Sequence, residues 1–282
     1  MKKSTQLEKA KRFRALHHTN ELLVLANIWD SLGAILLESL HYPAIATASA
    51  SIAYSNGKLD GEQITFKHLL AILDNIVSSV DLPVTADIES GYAQSEKELI
   101  TNIKELIGLG IIGVNIEDTD KHTGQLLSTE EQCQKISLIK QVADELEIPL
   151  FINARTDVFI HENKFESNIE QLEEAIKRGL AYKQAGADGL FPIAITNEND
   201  IVQLVKQVQL PINILTIPGI PNFKTLKHIG VSRISLGPSF LKIAVKAMKT
   251  LALKLKTEEG LEEIVSNEIT NDYLKSLIRK QY

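Results

Sequence analysis

Apolar residues along this chain fall into two alternating patterns. Short continuous runs of strand length are separated by longer stretches in which apolar residues recur every three or four positions. In order, the short runs are LLVLAN (22–27), AIATAS (44–49), PVTADIE (83–89), IGVNIED (112–118), PLFINAR (149–155), GLFPI (189–193), PINILT (211–216) and RISLG (233–237). Each is continuous rather than alternating, which is the pattern of a strand covered on both faces in a parallel sheet. The intervening stretches, among them FKHLLAILDNIVSSV, EKELITNIKELIGLG, EEQCQKISLIKQVADEL and NIEQLEEAIKRGLAYKQAG, read as amphipathic helices. Gly108, Gly110 and Gly186 stand where such helices stop.

Eight strand–helix units in strict alternation predict an α/β fold, a (β/α)8 TIM barrel. The competing open, doubly wound sheet needs a G-x-G-x-x-G turn after a strand, and none is present. After the eighth run, residues 242–282 carry two more helical patterns, too short for a core of their own. Residues 1–282 are therefore expected to form one barrel domain, with about 242–282 as a C-terminal helical arm.

Composition changes this picture little. Of 282 residues, 44% are hydrophobic and 23% charged, a globular balance. A net charge of −6 argues against a nucleic-acid partner. The lone Cys133 excludes an internal disulfide and favours a reducing compartment. With no signal peptide and no run of about 18 apolar residues, the expectation is a cytoplasmic protein without a membrane partner. Cys133 itself falls in a helical stretch and is read as buried and structural.

Chemistry collects where the runs end, the face on which barrels carry their sites. The third run ends Asp87-Ile88-Glu89, the fourth Asn115-Ile116-Glu117-Asp118, and the fifth Asn153-Ala154-Arg155-Thr156-Asp157. Residues two apart on a strand share a face, so Asp87, Glu89 and Glu117 are expected to point together into the lumen. Carboxylates there are costly unless paired or bound to metal, and only Arg155 is an obvious partner. Oxygen-rich acidic sites suit Mg²⁺ or Mn²⁺. Arg155 offers a planar fork for a substrate carboxylate or phosphonate, with a lumenal salt bridge as its structural alternative. The Thr47–Ser51 stretch is read as a small-residue loop able to hold an anion. Asp118 and Asp157 are read either as helix caps or rim bridges, or as part of the site. His17, His18, His161 and His228 receive no role.

These landmarks resemble the isocitrate lyase/phosphoenolpyruvate mutase superfamily: Asn27-x-Trp29-Asp30, Thr47-Ala-Ser49-Ala50, Leu59-Asp60-Gly61, Asp87-x-Glu89-Ser-Gly-Tyr92, Asn115-x-Glu117-Asp118 and Asn153-Ala-Arg155-Thr-Asp157, in that order over about residues 10–240. The resemblance implies a Mg²⁺-dependent enzyme that makes or breaks C–C or P–C bonds in small α-oxo or α-hydroxy acids. Asp87 would ligate the metal directly, with Asp60, Glu89 and Glu117 holding its water shell. Ser49 and the backbone of Ala50 would bind the oxo acid, and Arg155 its far anionic group. Trp29, Asp30, Thr47 and Asn213 complete the candidate substrate contacts. It also implies a homodimer or homotetramer with the last helix swapped.

The segment after the fourth run departs from the family. Its lyases carry Lys-Lys-Cys-Gly-His there, with the cysteine as acid/base, and its mutases a longer loop with Lys-Thr-Asn. This chain reads Thr119-Asp120-Lys121-His122-Thr123-Gly124-Gln125. Lys121 and His122 are the candidate proton donors or anion binders of that loop; the alternative is a solvated turn. Retro-aldol cleavage, decarboxylation or hydrolysis of an oxaloacetate-like acid, and phosphonate chemistry all stay open. A Schiff-base aldolase is disfavoured because no run contains a lysine, and a non-catalytic relative of the family stands as the third class.

Overall fold

In a computed structural model, residues 5–161 and 164–279 are described. Their parallel strands close into a (β/α)8 barrel. The strands are β1 (Leu23–Leu25), β2 (Asn27–Ile28), β3 (Ile45–Thr47), β4 (Val84–Asp87), β5 (Gly113–Glu117), β6 (Phe151–Thr156), β7 (Gly189–Pro192), β8 (Asn213–Leu215) and β9 (Arg233–Ser235). Strands β2 to β7 pair in sequence order, β1 pairs with β9, and β9 with β8. A single parallel bridge, Leu190 to Ile212, joins β7 to β8.

All eight apolar runs form strands, but the first is divided. Ala26 separates β1, paired with β9, from β2, paired with β3. The gap in the ladder is filled by the Asn27 side chain. Its carboxamide NH₂ donates to the Thr47 carbonyl (2.8 Å), and its oxygen accepts the Leu236 (2.7 Å) and Gly237 (3.2 Å) N–H groups.

Helices cover the ring, α8 (Glu198–Val208) and α9 (Phe223–Ile229) among them. Side-chain caps at Asp30, Thr65, Ser95, Ser128 and Ser167 start α2 (Ser31–Ser39), α4 (Phe66–Ser78), α5 (Glu96–Leu109), α6 (Thr129–Glu145) and α7 (Asn168–Ala185). Each cap oxygen takes up an N–H that the first helical turn leaves unpaired. Gly110 and Gly186, at φ +102° and +107°, end α5 and α7 as predicted; Gly108 lies inside α5. Two stretches differ from expectation at their ends. The Thr47–Ser51 stretch is no loop: Ala48 caps a short helix, α3 (Ser49–Ser55). The strand of the third run, β4, stops at Asp87, because Glu89 turns into the left-handed region (φ +50°).

The floor of the barrel, at the N-terminal strand ends, is sealed by α1 (Gln6–Leu16). Phe13 is fully buried with Leu23, Leu25, Ile112 and Phe151, and His17 stacks on Phe151 at 4.0 Å between ring centres. Gly113 makes this possible, since a Cβ there would lie 2.9 Å from Thr85 Oγ1 and 3.2 Å from Phe13. Beyond β9 come three helices rather than two: α10 (Ser239–Leu255), α11 (Leu261–Val265) and α12 (Asn271–Arg279). No residue of α10 is buried, whereas α12 packs back on α2 and buries Leu277. Among the described residues no helix is long and apolar enough to cross a membrane.

Candidate active site

The mouth is built from the C-terminal strand ends. Asp87 closes β4 and Glu117 closes β5, while Arg155 stands opposite Glu117 in register on β6. Thr47, at the end of β3, is fully buried, and its hydroxyl accepts the Asp87 N–H at 3.1 Å. Thr47 thus fixes the backbone that carries Asp87. The Ser49 side chain stands near enough to the Asp60 carboxyl to oppose the upward shift that burial gives it, so the first turn of α3 and the 57–64 loop meet at the site. Ala50, in the same turn, is half-buried.

Glu89 reaches the same place by another route than strand alternation. Between Ile88 and Tyr92 the backbone makes a tight turn in which Glu89, Gly91 and Tyr92 all have positive φ. Two of these are not glycine, so the turn holds conformational strain of the kind found at binding sites. A reciprocal clasp holds it. The Glu62 N–H donates to both Glu89 carboxylate oxygens at 2.9 Å. In return the Glu62 carboxylate accepts the Ser90 N–H (3.0 Å), Ser90 hydroxyl (2.6 Å) and Tyr92 N–H (3.1 Å). The Tyr92 hydroxyl then donates to Glu89 at 3.0 Å. Glu62 itself adopts φ +58°. Sequence reasoning passed over Glu62, whose neighbour across the clasp lies 27 residues away.

The acids are deeply set: Glu89 is 2% exposed and Glu117 1%. Two cations answer them. Arg155 holds Asp157 through Nε (2.6 Å) and Nη2 (3.1 Å) and reaches Glu117 with Nη1 (2.9 Å). Lys121 places its ammonium 3.0 Å from Glu89 and also pairs with Glu117. Burial raises the Glu117 carboxyl above the usual range, against the pull of Arg155 and Lys121. Desolvation also raises Asp60 and Asp87; the Asp87 charge adds to the shift on Asp60, and the Glu89 charge to that on Asp87. The mouth carries an acid surplus that its own cations do not neutralise.

Below and behind lies a network the sequence showed only in part. Asp118 is fully buried, and its carboxylate accepts the Thr156 hydroxyl (2.7 Å), Asp157 N–H (2.8 Å), Tyr182 hydroxyl (2.8 Å) and Arg178 Nη1 (3.0 Å). It is neither cap nor rim bridge. Arg178 also donates to the Leu127 carbonyl at 2.9 Å, anchoring the end of the segment after β5. Asp157 accepts from the Thr119 hydroxyl at 2.6 Å, anchoring its start.

Several candidates stand elsewhere. His122 is exposed on the tip, its side chain lining an outer cavity of about 570 Å³ with Lys135 and Gln94 rather than the lumen. Lys121, unlike its neighbour His122, pairs with the acids of the mouth. The Asp30 carboxylate caps α2 through Gly33 N–H (2.7 Å) and is exposed, and Trp29 beside it is half-buried. Asn213 begins β8 level with Arg233, at the deep end of the strand, where its oxygen accepts the Ser235 hydroxyl at 3.1 Å. It is buried below the mouth because β8 is three residues long and only its last residue reaches the top. Cys133 is half-buried in α6, less enclosed than expected. His161 reaches the Thr119 hydroxyl at 3.4 Å, a rim position.

Comparison with known proteins places this geometry. A family profile described as phosphoenolpyruvate phosphomutase matches residues 13–256. The 2-methylisocitrate lyase of Bacillus subtilis is 29% identical over 93% of this chain and 88% of its own. The crystal structure of a proposed phosphonomutase from Burkholderia cenocepacia superposes with a TM-score of 0.83 at 36% identity, covering 90% of this chain and all of that one. A phosphonopyruvate hydrolase solved with oxalate and Mg²⁺ shares the fold at 20% identity, with a TM-score of 0.84 over 97% of this chain and 95% of its own.

Proposed function

Because the chain belongs to the phosphoenolpyruvate phosphomutase family, a family of lyases and mutases, we propose that it is a Mg²⁺-dependent enzyme making or breaking a C–C or P–C bond in a small α-oxo or α-hydroxy carboxylic acid, through an enolate-like intermediate. The observation that carries this reading is the gathering of four carboxylates, Asp60, Asp87, Glu89 and Glu117, at one mouth against two cations, Arg155 and Lys121.

The donor set fits Mg²⁺ in a particular way. Among the described residues no three His, Cys, Asp or Glu side chains stand together as a ready-made ligand cage. Mg²⁺ does not need one, since it keeps several waters and takes one or two carboxylates directly. Asp87 is the direct ligand in this reading, and Asp60, Glu89 and Glu117 accept hydrogen bonds from the metal's waters. When bound, the ion supplies the positive charge that lowers the cost of an enolate oxygen.

The chain's own residues do the rest. Arg155 donates two of the five N–H groups of its guanidinium to Asp157 and pairs with Glu117 by charge, and N–H groups it has not spent grip the far anionic group of the substrate. Ser49, the Ala50 backbone and Thr47 line the α-oxo end, with Trp29 at the rim. Lys121 is the one proton carrier of the 119–126 segment that faces the acids. A second reading, decarboxylation or hydrolysis of an oxaloacetate-like acid, is favoured by one observation: the only cysteine lies in α6 and not in the segment where the family's lyases keep their acid/base cysteine. We further infer that the exposed apolar side chains of α10, Ile243, Val245, Met248 and Leu253, meet a second copy in a homodimer or homotetramer.

Calorimetry with oxalate, an enolate mimic, tests the proposal. Oxalate binds in Mg²⁺ and fails to bind in chelator; binding that ignores Mg²⁺, or none at all, removes the enzyme reading. A pyruvate- and glyoxylate-release screen over oxo, hydroxy and phosphono acids then separates the two reactions.

A further inference from the structure

Lys121 occupies an unusual position for a surface-loop lysine. Its ammonium sits between two acids that are almost wholly buried, Glu89 and Glu117. The other cation of the mouth, Arg155, is held in place by the two bonds to Asp157 and reaches only Glu117. Glu89 otherwise has a phenol and one backbone N–H. Lys121 is therefore the cation paired with Glu89, a side chain only 2% exposed, where a charge without a partner is costly.

The backbone around Lys121 is a self-contained unit. Thr119 and Leu126 form an antiparallel bridge, Asp120 N–H donates to Gln125 (2.9 Å), and Gly124 N–H donates to Asp120 (2.8 Å). The Asp120 carboxylate closes the turn by accepting the N–H groups of His122 (2.8 Å) and Thr123 (2.7 Å). The tip beyond Lys121 is exposed, and this hairpin is tied to the barrel at its two feet, Thr119 and Leu127. Apart from those feet, the ion pairs of Lys121 are the charged contacts that draw it down over the mouth.

We propose that Lys121 is a built-in counter-ion that stands in for the divalent metal, and that metal entry displaces it from Glu89 and Glu117 and lifts the 119–126 hairpin. The inference rests on the Mg²⁺ site proposed above. Two cations cannot share the same pair of carboxylates without repelling each other, so the ammonium and the ion compete. Coupling of this kind is reciprocal: whatever the metal does to the hairpin, the hairpin does to metal affinity. Emptying the mouth of metal closes it, and loading metal clears the path by which an anionic substrate reaches Arg155.

The test needs no substrate and no turnover. Mg²⁺ affinity is measured by calorimetry on the full chain for the wild type, Lys121→Met and Lys121→Arg, alongside amide hydrogen exchange of the 119–127 peptide. Removing the competing cation tightens Mg²⁺ binding by about tenfold or more in Lys121→Met, and Lys121→Arg returns it towards the wild-type value. Exchange in 119–127 rises with Mg²⁺ in the wild type and is already raised, and insensitive to Mg²⁺, in Lys121→Met. Mg²⁺ binding in the wild type that is unchanged or weakened in Lys121→Met overturns the inference while leaving the metal site standing. So does a hairpin whose exchange ignores Mg²⁺. Failure of all three proteins to bind Mg²⁺ overturns the metal site and this inference together.

Discussion

The two ends of the barrel solve opposite problems. At the floor, α1 presses Phe13 and His17 onto Phe151, and the buried imidazole is held neutral: burial, and then the Arg233 charge, lower the His17 pKa to about 3. At the mouth, carboxylates are gathered against their mutual repulsion and held by strained backbone, a clasp through Glu62, and two cations. The floor is a packing interface and the mouth an electrostatic one. Stability is concentrated at the first and unspent interaction energy at the second, the division expected of a fold that carries its chemistry on one face.

Substitutions at each end break this comparison differently. The largest effect is at the mouth: Asp87→Ala abolishes Mg²⁺-dependent oxalate binding by calorimetry, without lowering the thermal midpoint, since it removes a repelled charge and no core contact. Normal oxalate binding by that variant in Mg²⁺ would exclude Asp87 as a ligand. At the floor, Phe13→Ala costs about 3–5 kcal/mol in denaturant unfolding and leaves Mg²⁺ affinity of the folded protein as it was. A loss under 1 kcal/mol (about a third of the lower bound) would mean that α1 is not the seal described here.

A smaller, pH-dependent effect follows from His17. Its folded pKa, about 3, lies below the unfolded value near 6.5, so between these the unfolded chain binds the extra proton. Its contribution to stability is complete above about pH 6.5 and declines as the pH falls, by on the order of 1 kcal/mol per unit. Unfolding of wild type and His17→Gln at pH 7.5 and near pH 5.5 isolates it, because the acids of the mouth titrate in both; parallel pH profiles would count against a neutral buried imidazole. The smallest effect belongs to His122→Ala. That side chain faces the outer cavity, so Mg²⁺-dependent oxalate affinity stays within about twofold of wild type, and a larger loss would return His122 to the lumen.

How much was legible in the sequence follows the same division. Continuous apolar runs located every strand, and Gly110 and Gly186 marked where two helices end, because these depend on neighbours within a few residues. Asn115 with Glu117, and Asn153 with Arg155, were placed on one face correctly by strand alternation. The same rule reached Glu89 for the wrong reason: β4 had already ended, and a left-handed turn, not a pleat, returns that carboxylate to the mouth. Asn213 was set too high for want of the register of a three-residue strand. Arg178, Tyr182 and Glu62 were invisible because their partners lie 60, 64 and 27 residues away in sequence. His17 was passed over because nothing in an amphipathic helix end announces that it closes a barrel.

The divided first strand has a consequence for how the molecule comes to exist. Asn27 joins β3, near the start of the chain, to residues 236 and 237, more than 200 positions later. Until Leu236 and Gly237 have left the ribosome, one carboxamide oxygen and the whole outer edge of β1 have no partner. Before β9 exists, the edge of β1 that it covers is an unpaired strand edge, the kind that invites pairing between chains. The ring locks only when the last strand arrives, making the order of emergence from the ribosome part of the folding route.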